Sequence, residues 1–279
     1  GIGRMKSESI IFPLEPLYKR KGIGFKQAKV VSFHPEGNAT ESKPYVLVEY
    51  VFGENIATQE KVGYDYLINA TGPKLAFELT DGLKPGTNKA YSVCTYDHAE
   101  HAWNGLKKLI ENVKSTGKSA KIVIGTGHPK ATCQGAAFEY ILNVEKELVR
   151  HGVRDKVALT WLSNEYELGD FGMDGMLLSY GKKTMTSSQM VEMVFADRRI
   201  KWILGAGVNK IEDGIVSYEN LDGEYKTESF DFAMLIPAFS GHGFKAFNKT
   251  NEDITEKLFK GFMIVDADYT AKPDENWSV

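Results

Sequence analysis

The chain has 279 residues, of which 42% are hydrophobic and 25% are charged, so it is long enough for two domains with real cores. Its net charge of −3 argues against nucleic acid as the main partner, because no strongly basic surface is implied. No apolar run approaches the roughly 18 residues that cross a bilayer, and the two cysteines do not make a disulfide framework. Composition alone therefore favours a cytoplasmic protein and leaves peripheral membrane attachment open.

The two ends of the sequence look cut. Gly1 is not an initiator methionine, and the sequence stops at Val279 without a terminal helix or a capping signal. We therefore expect an internal piece of a longer protein.

The first part of the chain predicts a short helix, three strands and a long amphipathic helix. The strands are rich in Val, Leu and Tyr, and the long helix carries apolar residues at helical spacing. In chain order, these elements are expected over residues 10–22, 24–31, 45–52, 62–70 and 98–114.

The second part of the chain predicts a β-α-β unit and then a mixture of helix and strands. Strand 121–124, a helix over 133–151 and strand 157–162 make the β-α-β unit of a doubly wound sheet. The remaining elements are expected as a helix over 187–199, a strand over 201–204, a hairpin of 210–218 with 225–232, and a strand over 231–237.

This pattern predicts an α/β fold with two Rossmann-like domains, a mixed parallel sheet and a β-hairpin or meander. The first domain is expected to be discontinuous, formed by residues 1–116 and 230–279. The second domain, residues 117–229, is expected between these two parts.

The turn after strand 121–124 carries the most informative residue, Cys133. A dinucleotide-binding turn normally continues Gly-x-Gly-x-x-Gly, so that backbone presses against a pyrophosphate at the helix N-terminus. Here Gly125 and Gly127 are followed by Lys130 in place of the third glycine, and Pro129 adds bulk. A thiol at the helix start feels the positive end of the helix dipole, which favours the thiolate. The glycine turn therefore predicts a nucleotide site, whereas the cysteine at the helix start predicts a reaction with sulfur.

Several segments together resemble one family of flavoproteins. Residues 64–73 (YDYLINATGP) are similar to a strand of the pyridine nucleotide–disulfide reductase superfamily, where small residues let the backbone pass close to FAD. The segments that narrow this resemblance to the sulfide:quinone oxidoreductases are 72–77 (GPKLAF), 92–100 (SVCTYDHAE), 133–140 (CQGAAFEY) and 234–241 (MLIPAFSG). The motifs follow one another in the family's order over nearly the whole chain.

The resemblance implies a flavin-dependent oxidation of sulfide. Cys133 would lie over the flavin and share a disulfide or sulfur bridge with a cysteine beyond Val279. Sulfide would open this bridge to a persulfide, two electrons would pass through FAD to a quinone, and sulfur would leave as polysulfide. The family's first flavin-binding strand, with its glycine turn, would precede Gly1. A peripheral position on the cytoplasmic face of a membrane follows from the quinone, and a homo-oligomer is left open.

The same resemblance implies roles for several further residues. Cys94 is similar to another cysteine of the family, near the flavin edge or the substrate entry, although inert packing explains it equally well. Glu139 would serve as a proton relay if buried, or would be an ordinary solvated carboxylate. The residues implied to contact FAD are Ala70, Thr71, Gly72, Lys74, Cys133 and Pro237.

Other ligand roles are weaker. Cys94, His98 and His101 could share a helical face, but a zinc site needs a fourth ligand or an open catalytic position and the sequence offers none nearby, so no metal is expected. His128 could help ionise Cys133 or lie exposed in its turn.

Two other functions compete with sulfide oxidation. A type II NADH:quinone oxidoreductase has the same two-domain frame, and Glu165, just after strand 157–162, could bind a ribose hydroxyl. The third hypothesis is a non-catalytic or redox-sensing domain that keeps only the fold.

Overall fold

The computed structural model describes residues 2–265, and within them the chain forms two compact units. Unit 1 contains the residues up to Phe12 together with Leu75–Phe239, and unit 2 contains Pro13–Lys74 together with the residues from Ser240. No helix among residues 2–265 is long and apolar enough to cross a membrane.

The described residues contain five α-helices and eighteen strands. The helices are α1 Leu14–Arg20, α2 Tyr96–Thr116, α3 Gln134–Arg150, α4 Ser187–Asp197 and α5 Thr255–Leu258. The strands are β1 Ala28–His34, β2 Tyr45–Tyr50, β3 Gln59–Gly63, β4 Lys74–Ala76, β5 Ala90–Tyr91, β6 Ala120–Thr126, β7 Val157–Leu162, β8 Leu177–Tyr180, β9 Lys183–Thr186, β10 Ile200–Ile203, β11 Gly207–Glu212, β12 Ile215–Glu219, β13 Tyr225–Ser229, β14 Phe232–Ile236, β15 Ala238–Ser240, β16 Lys245–Ala246, β17 Phe259–Lys260 and β18 Phe262–Met263.

Unit 1 is built on a five-stranded parallel sheet in the order β10-β7-β6-β14-β5. Its central strands are apolar on both faces, as expected of a sheet that is covered on both sides. In β14, for example, Met234 is fully buried on one face and Leu235 on the other. The predicted α/β class, parallel sheet and β-α-β unit are confirmed.

Different layers cover the two faces of this sheet. Helices α2, α3 and α4 pack on one face, where Ile110, Ile141 and Phe195 share a core with Ile124 and Trp161. On the other face lies the antiparallel meander β11-β12-β13, whose buried residues are Val208, Ile211, Val216 and Tyr218. Helix α2 follows β5 and helix α3 follows β6. Because β5 and β6 are parallel, both helices begin at the carboxyl edge of the sheet.

Unit 2 contains a four-stranded sheet in the order β16-β1-β2-β3, in which only β16 and β1 run parallel. Its core is small and centres on Phe33, which packs against Phe244 and Phe259 at ring distances of 5.4 and 5.3 Å. Val46 and Val48 of β2 complete the buried face.

The predicted strand over 62–70 is wrong. Strand β3 already ends at Gly63, and residues 64–73 have no regular secondary structure. Tyr66 and Ile68 are 95% and 89% exposed, whereas Tyr64, at the start of the segment, packs partly buried against the core of unit 2. A strand needs a neighbouring strand whose groups can hydrogen-bond to its amides and carbonyls. Strand β3 pairs with β2, and this pairing ends where Gly63 meets Tyr45.

Two further predictions differ from the structure. Segment 210–218 is not one strand, because a turn at Asp213 and Gly214 separates β11 from β12; the predicted hairpin with 225–232 is a three-stranded meander. Gly214 has a φ of +79°, which glycine adopts without strain. Strand β1 begins and ends a few residues later than predicted, at Ala28 and His34.

The compact units do not coincide with the predicted domains 1–116 with 230–279 and 117–229. Strand β5 pairs with β14, and α2 packs in the same core as α3, so the segment before residue 117 completes the sheet of unit 1. Residues 266–279 of the predicted first domain lie outside the described residues. The assignment of the two predicted domains to a flavin and to a nicotinamide-type nucleotide stays a prediction.

Candidate functional site

Packing within unit 1 explains Gly125, near the end of β6, and Gly127, in the turn that follows. A side chain at Gly125 would place its first carbon 1.8 Å from the carbonyl oxygen of Leu162 in the neighbouring strand. At Gly127 it would lie 2.7 Å from Leu83 and 3.0 Å from Leu235. Both glycines are therefore needed for close approach within unit 1, whether or not a nucleotide binds.

The backbone of the same turn is already hydrogen-bonded within the chain. The amide of Gly127 donates to the carbonyl of Ile236 at 2.7 Å, and the amide of Lys130 donates to Nδ1 of His128 at 3.0 Å. The amide of Ala131 donates to the carbonyl of His128 at 3.0 Å. A pyrophosphate is normally held by free amides at such a turn, and here three of them are engaged.

Asn164, just after β7, holds the turn in place and was not singled out by the sequence. Its side-chain amide donates to the carbonyls of Pro129 and Ala131, both at 2.9 Å. Its own backbone amide donates to the hydroxyl of Thr126 at 2.9 Å. An amide residue at the carboxyl end of a parallel strand was the available signal, because neighbouring strand ends meet at that edge.

Glu165 faces the interior rather than a nucleotide. It is 3% exposed, and its carboxylate accepts hydrogen bonds from the Ser163 hydroxyl at 2.7 Å, the Phe171 amide at 2.7 Å and the Trp161 indole at 3.3 Å. Burial raises the pKa of this carboxyl, and these three hydrogen bonds partly oppose the rise. The expectation that Glu165 binds a ribose hydroxyl is therefore wrong, because its oxygens already have partners inside unit 1.

Cys133 is the N-cap residue of α3 and is exposed. Its φ of +73° lies in the left-handed region, which costs a non-glycine residue about 1–3 kcal/mol. Its side chain makes no capping hydrogen bond. The structure thus presents a thiol at the helix start, on strained backbone, where a Ser, Asn or Gly would be ordinary.

Cys94 lies between β5 and α2, just before the N-cap residue Thr95. Its backbone amide donates to the hydroxyl of Ser92 at 3.2 Å, and its side chain reaches the surface. Neighbouring protein atoms nevertheless remove part of its hydration, and this burial raises the pKa of its thiol. A hydrogen bond from Ser92 opposes the rise, while the proximity of Cys133 adds to it.

Cys94 and Cys133 are both free thiols of unit 1, and the charge of Cys133 is one of the smaller causes of the raised pKa of Cys94. The sequence had singled out each of them, but residues 39 positions apart form no local pattern that relates one to the other.

Two other predicted residues of unit 1 have ordinary surroundings. Glu139 is exposed on α3, so the buried carboxyl that a proton relay required is not there and the solvated alternative describes it better. Pro237 is buried between β14 and β15.

His128 is half-buried, and burial lowers the pKa of its ring, with the charge of Lys130 as a second cause. Its Nδ1 accepts the amide hydrogen of Lys130, which places a proton of the neutral ring on Nε2. Nδ1 of His128 therefore already has a hydrogen-bond partner within the turn.

The other predicted flavin contacts lie in unit 2, on the irregular segment 64–73 and at the start of β4. Ala70, Thr71, Gly72 and Lys74 are exposed. Gly72 has a φ of +68°, and a side chain there would meet no atom within 4 Å. The oxygen of Asn69 accepts from the Thr71 hydroxyl at 2.9 Å, which fixes the turn. This open backbone surface with small side chains fits a flat ligand such as a flavin nucleotide.

His98 and His101, which the sequence offered as possible metal ligands, lie against aromatic rings. His98 stands edge-on to Phe77 at 5.9 Å, and His101 lies against Tyr91 at 5.2 Å. Among residues 2–265 there is no group of three or more His, Cys, Asp and Glu side chains that could hold a metal ion.

Comparison with known proteins gives the following relatives. The chain is 35% identical over 241 residues to the sulfide-quinone reductase of Aquifex aeolicus, which covers 86% of the chain and 48% of the relative. The crystal structure of the sulfide:quinone oxidoreductase from that bacterium matches with a TM-score of 0.66 at 33% identity, over the same shares of the two chains. No protein-family profile matches.

The structure of NDH2 from Plasmodium falciparum in complex with NADH also matches. Its TM-score is 0.53 at 14% identity, with 78% of this chain and 41% of that chain covered, so the likeness extends to the fold alone. The chain spans about half the length of the curated relatives it matches. Over 86% of its own length, this chain is similar to the sulfide:quinone oxidoreductase of Aquifex aeolicus.

Proposed function

We propose that the protein containing this chain oxidises sulfide with the help of FAD and passes the electrons to a quinone at a membrane surface. The observation that carries the proposal is Cys133, an exposed thiol on strained backbone at the start of α3, in a chain 35% identical to a sulfide-quinone reductase. A thiolate suits this chemistry because it is both nucleophile and leaving group in sulfur exchange.

In this proposal Cys133 carries the sulfur atom. Hydrogen sulfide anion attacks a disulfide that includes Cys133, which leaves a persulfide on one cysteine and a thiolate on the other. FAD supplies the two-electron acceptor that the chain's own side chains lack. Cys94 is a second free thiol of unit 1, and Glu139, being exposed, is assigned no role in moving protons.

FAD would be held by Ala70, Thr71, Gly72 and Lys74, with Pro237 and Cys133 as further contacts. The support for this assignment is the open space above Gly72 and the exposure of the small side chains around it. Backbone without bulky side chains can approach the flavin closely, as glycine permits.

The rival function, NADH:quinone oxidoreduction, has less support. The turn that would hold a pyrophosphate is hydrogen-bonded to its own chain, and the carboxylate that would bind the ribose is buried. The NDH2 from Plasmodium falciparum shares the fold at only 14% identity. A third possibility, a domain without catalytic function, is separated from both by whether FAD binds at all.

The test is an anaerobic titration of the FAD-loaded protein, followed by absorbance at the flavin bands. We expect sulfide to bleach the flavin, and we expect Cys133→Ser to abolish bleaching while Thr132→Ser, the exposed neighbour, keeps it. Added quinone should then restore the oxidised spectrum. Bleaching by NADH but not by sulfide would establish the rival, and failure to bind FAD would favour the third hypothesis.

A further inference from the structure

We propose that Asn164 is a positioning residue for Cys133: it holds the chain on both sides of this cysteine, so that the thiol stays free of the amides of α3 and open to attack. The inference rests on the proposed function in one respect, since it takes Cys133 as the reacting thiol. It gives Asn164, which the sequence did not single out, a role in the reaction as well as in the fold.

The first support is the backbone conformation of Cys133. An N-cap residue ordinarily adopts an extended conformation, in which its side chain accepts a hydrogen bond from an amide of the first helical turn. Thr95 of α2 and Thr186 of α4 both do so, with φ of −128° and −75°. Cys133 has a φ of +73°, makes no capping hydrogen bond and is exposed. Because the extended conformation is the more stable one for a residue with a side chain, contacts outside Cys133 must hold it in the left-handed region.

The second support is the way in which Asn164 fixes the chain before Cys133. Its Nδ2 donates to the carbonyls of Pro129 and Ala131, both at 2.9 Å. Ala131 is only 2% exposed and also forms an isolated β-bridge with Ala238. The chain therefore approaches Cys133 from a carbonyl that is fixed two positions earlier.

The third support lies on the other side of Cys133, at the first residue of α3. Gln134 is 5% exposed, and its Nε2 donates to Oδ1 of Asn164 at 3.2 Å. Turning the Asn164 amide round would set its oxygen against two carbonyls, so this oxygen is left for Gln134. Helix α3 is itself anchored by Ile141, which is fully buried in the core of unit 1. Only Thr132 and Cys133 lie between the two points that Asn164 holds.

A thiolate that is free of the helix amides is a better nucleophile than one that caps them. A thiolate that accepts hydrogen bonds from amides is stabilised, and its nucleophilicity falls with its basicity. If the hold of Asn164 is lost, Cys133 can relax to the extended conformation of an ordinary N-cap, and its sulfur can then accept an amide of the first turn of α3. Asn164 thus keeps the sulfur available for exchange without contacting it.

The test is alkylation of the reduced chain with iodoacetamide across a range of pH, with peptide mass analysis to follow Cys133 and Cys94 separately. In Asn164→Ala we expect the limiting rate at Cys133 to fall about threefold, because a capping thiolate is the weaker nucleophile. The rate should also reach half of its limit at a lower pH than in the wild type. Asn164→Asp keeps the acceptor for Gln134 but cannot donate to the two carbonyls, so it should act in the same direction. The rate at Cys94 should not change, since the hydrogen bonds of Asn164 go to residues 126–134.

The matched control is Asn88→Ala. Asn88 also donates its side-chain amide to two carbonyls, those of Gly82 and Ile211 at 3.1 and 3.3 Å. Alkylation of Cys133 at the wild-type rate or faster in both Asn164 variants would overturn the proposal, since a loosened turn only exposes the thiol. The same slowing in Asn88→Ala would also overturn it, because the effect would then follow from lost stability alone. Since neither flavin nor sulfide takes part, failure here leaves the sulfide titration untouched, and failure of that titration leaves this result intact.

Discussion

At the residue scale, Glu165 shows how the same carboxylate can signal a ligand in sequence and stabilise the fold in structure. Its place after β7 matches that of an acidic residue that binds a ribose in dinucleotide folds. Its three hydrogen-bond donors, Ser163, Phe171 and Trp161, all come from the chain itself. The difference lies in the direction of one side chain, which strand periodicity does not specify beyond the strand's end.

The raised pKa of Glu165 predicts a pH effect on stability. A carboxyl whose folded pKa lies above its unfolded value binds a proton more readily in the folded state, so its contribution is full at low pH and is lost as pH rises through the folded pKa. Glu165→Gln removes this titration and keeps hydrogen-bonding capacity toward Ser163 and the Phe171 amide. In denaturant titrations from pH 4 to 8, the wild type should lose free energy of unfolding relative to Glu165→Gln as pH rises. A difference that is constant across this range would contradict the prediction.

At the element scale, Arg154 connects the start of β7 to the end of α4. It is 9% exposed and donates to the carbonyls of Val157 at 2.6 Å and Arg199 at 2.9 Å, with Glu145 at 3.8 Å from its Nε. Burial lowers the pKa of the guanidinium, and Glu145 opposes this change. The planar fork reaches several carbonyls at once, which a lysine ammonium does not do.

Loss of Arg154 should therefore destabilise the fold strongly. Arg154→Ala leaves the carbonyls of Val157 and Arg199 without this donor and leaves Glu145 with Arg198 at 3.7 Å, so we expect a loss of about 3 kcal/mol in urea unfolding. Arg154→Lys should recover only part of it. The matched control is Arg199→Ala, whose ion pair with Asp155 is exposed and should contribute little. Equal effects of Arg154→Ala and Arg199→Ala would rule out this role.

Also at the element scale, the accuracy of the sequence predictions follows from what each pattern depends on. Strand 157–162 is observed at the predicted bounds, because its apolar run is buried on both faces by its own unit. In the segment predicted as a strand over 62–70, only Val62 and Gly63 pair with a neighbouring strand, and residues 64–70 are irregular. Periodicity shows which residues are able to be buried, whereas pairing partners decide whether they are.

In the candidate site, too, the residues recognised by their own motifs were predicted and the contacts between distant segments were not. Both cysteines, the glycine turn and the flavin-type segment were predicted from motifs, because such residues are recognisable one at a time. The hydrogen bonds from Asn164 to the turn were not predicted. They arise from strands that are distant in sequence and adjacent in the sheet.

At the scale of the whole molecule, unit 1 carries its own core. Every buried residue of its two hydrophobic clusters lies between Leu83 and Ile236. The N-terminal residues add the partly buried Ile2 and the ion pair of Arg4 with the buried Glu147 at 2.7 Å. Cys94 and Cys133 also lie inside this range.

Residues 75–239 alone should consequently fold as a cooperative domain. We expect a single unfolding transition in circular dichroism and dispersed amide resonances in NMR, at lower stability than the same unit in the full chain because the Arg4 contact is lost. Glu147 then keeps only Arg150 at 3.4 Å and His151 at 3.8 Å. Glu147→Gln should therefore cost less stability in the 75–239 piece than in the full chain. A broad, non-cooperative transition of the piece would show that its core depends on residues outside this range, and an equal cost of Glu147→Gln in both chains would show that Arg4 does not stabilise the buried carboxylate.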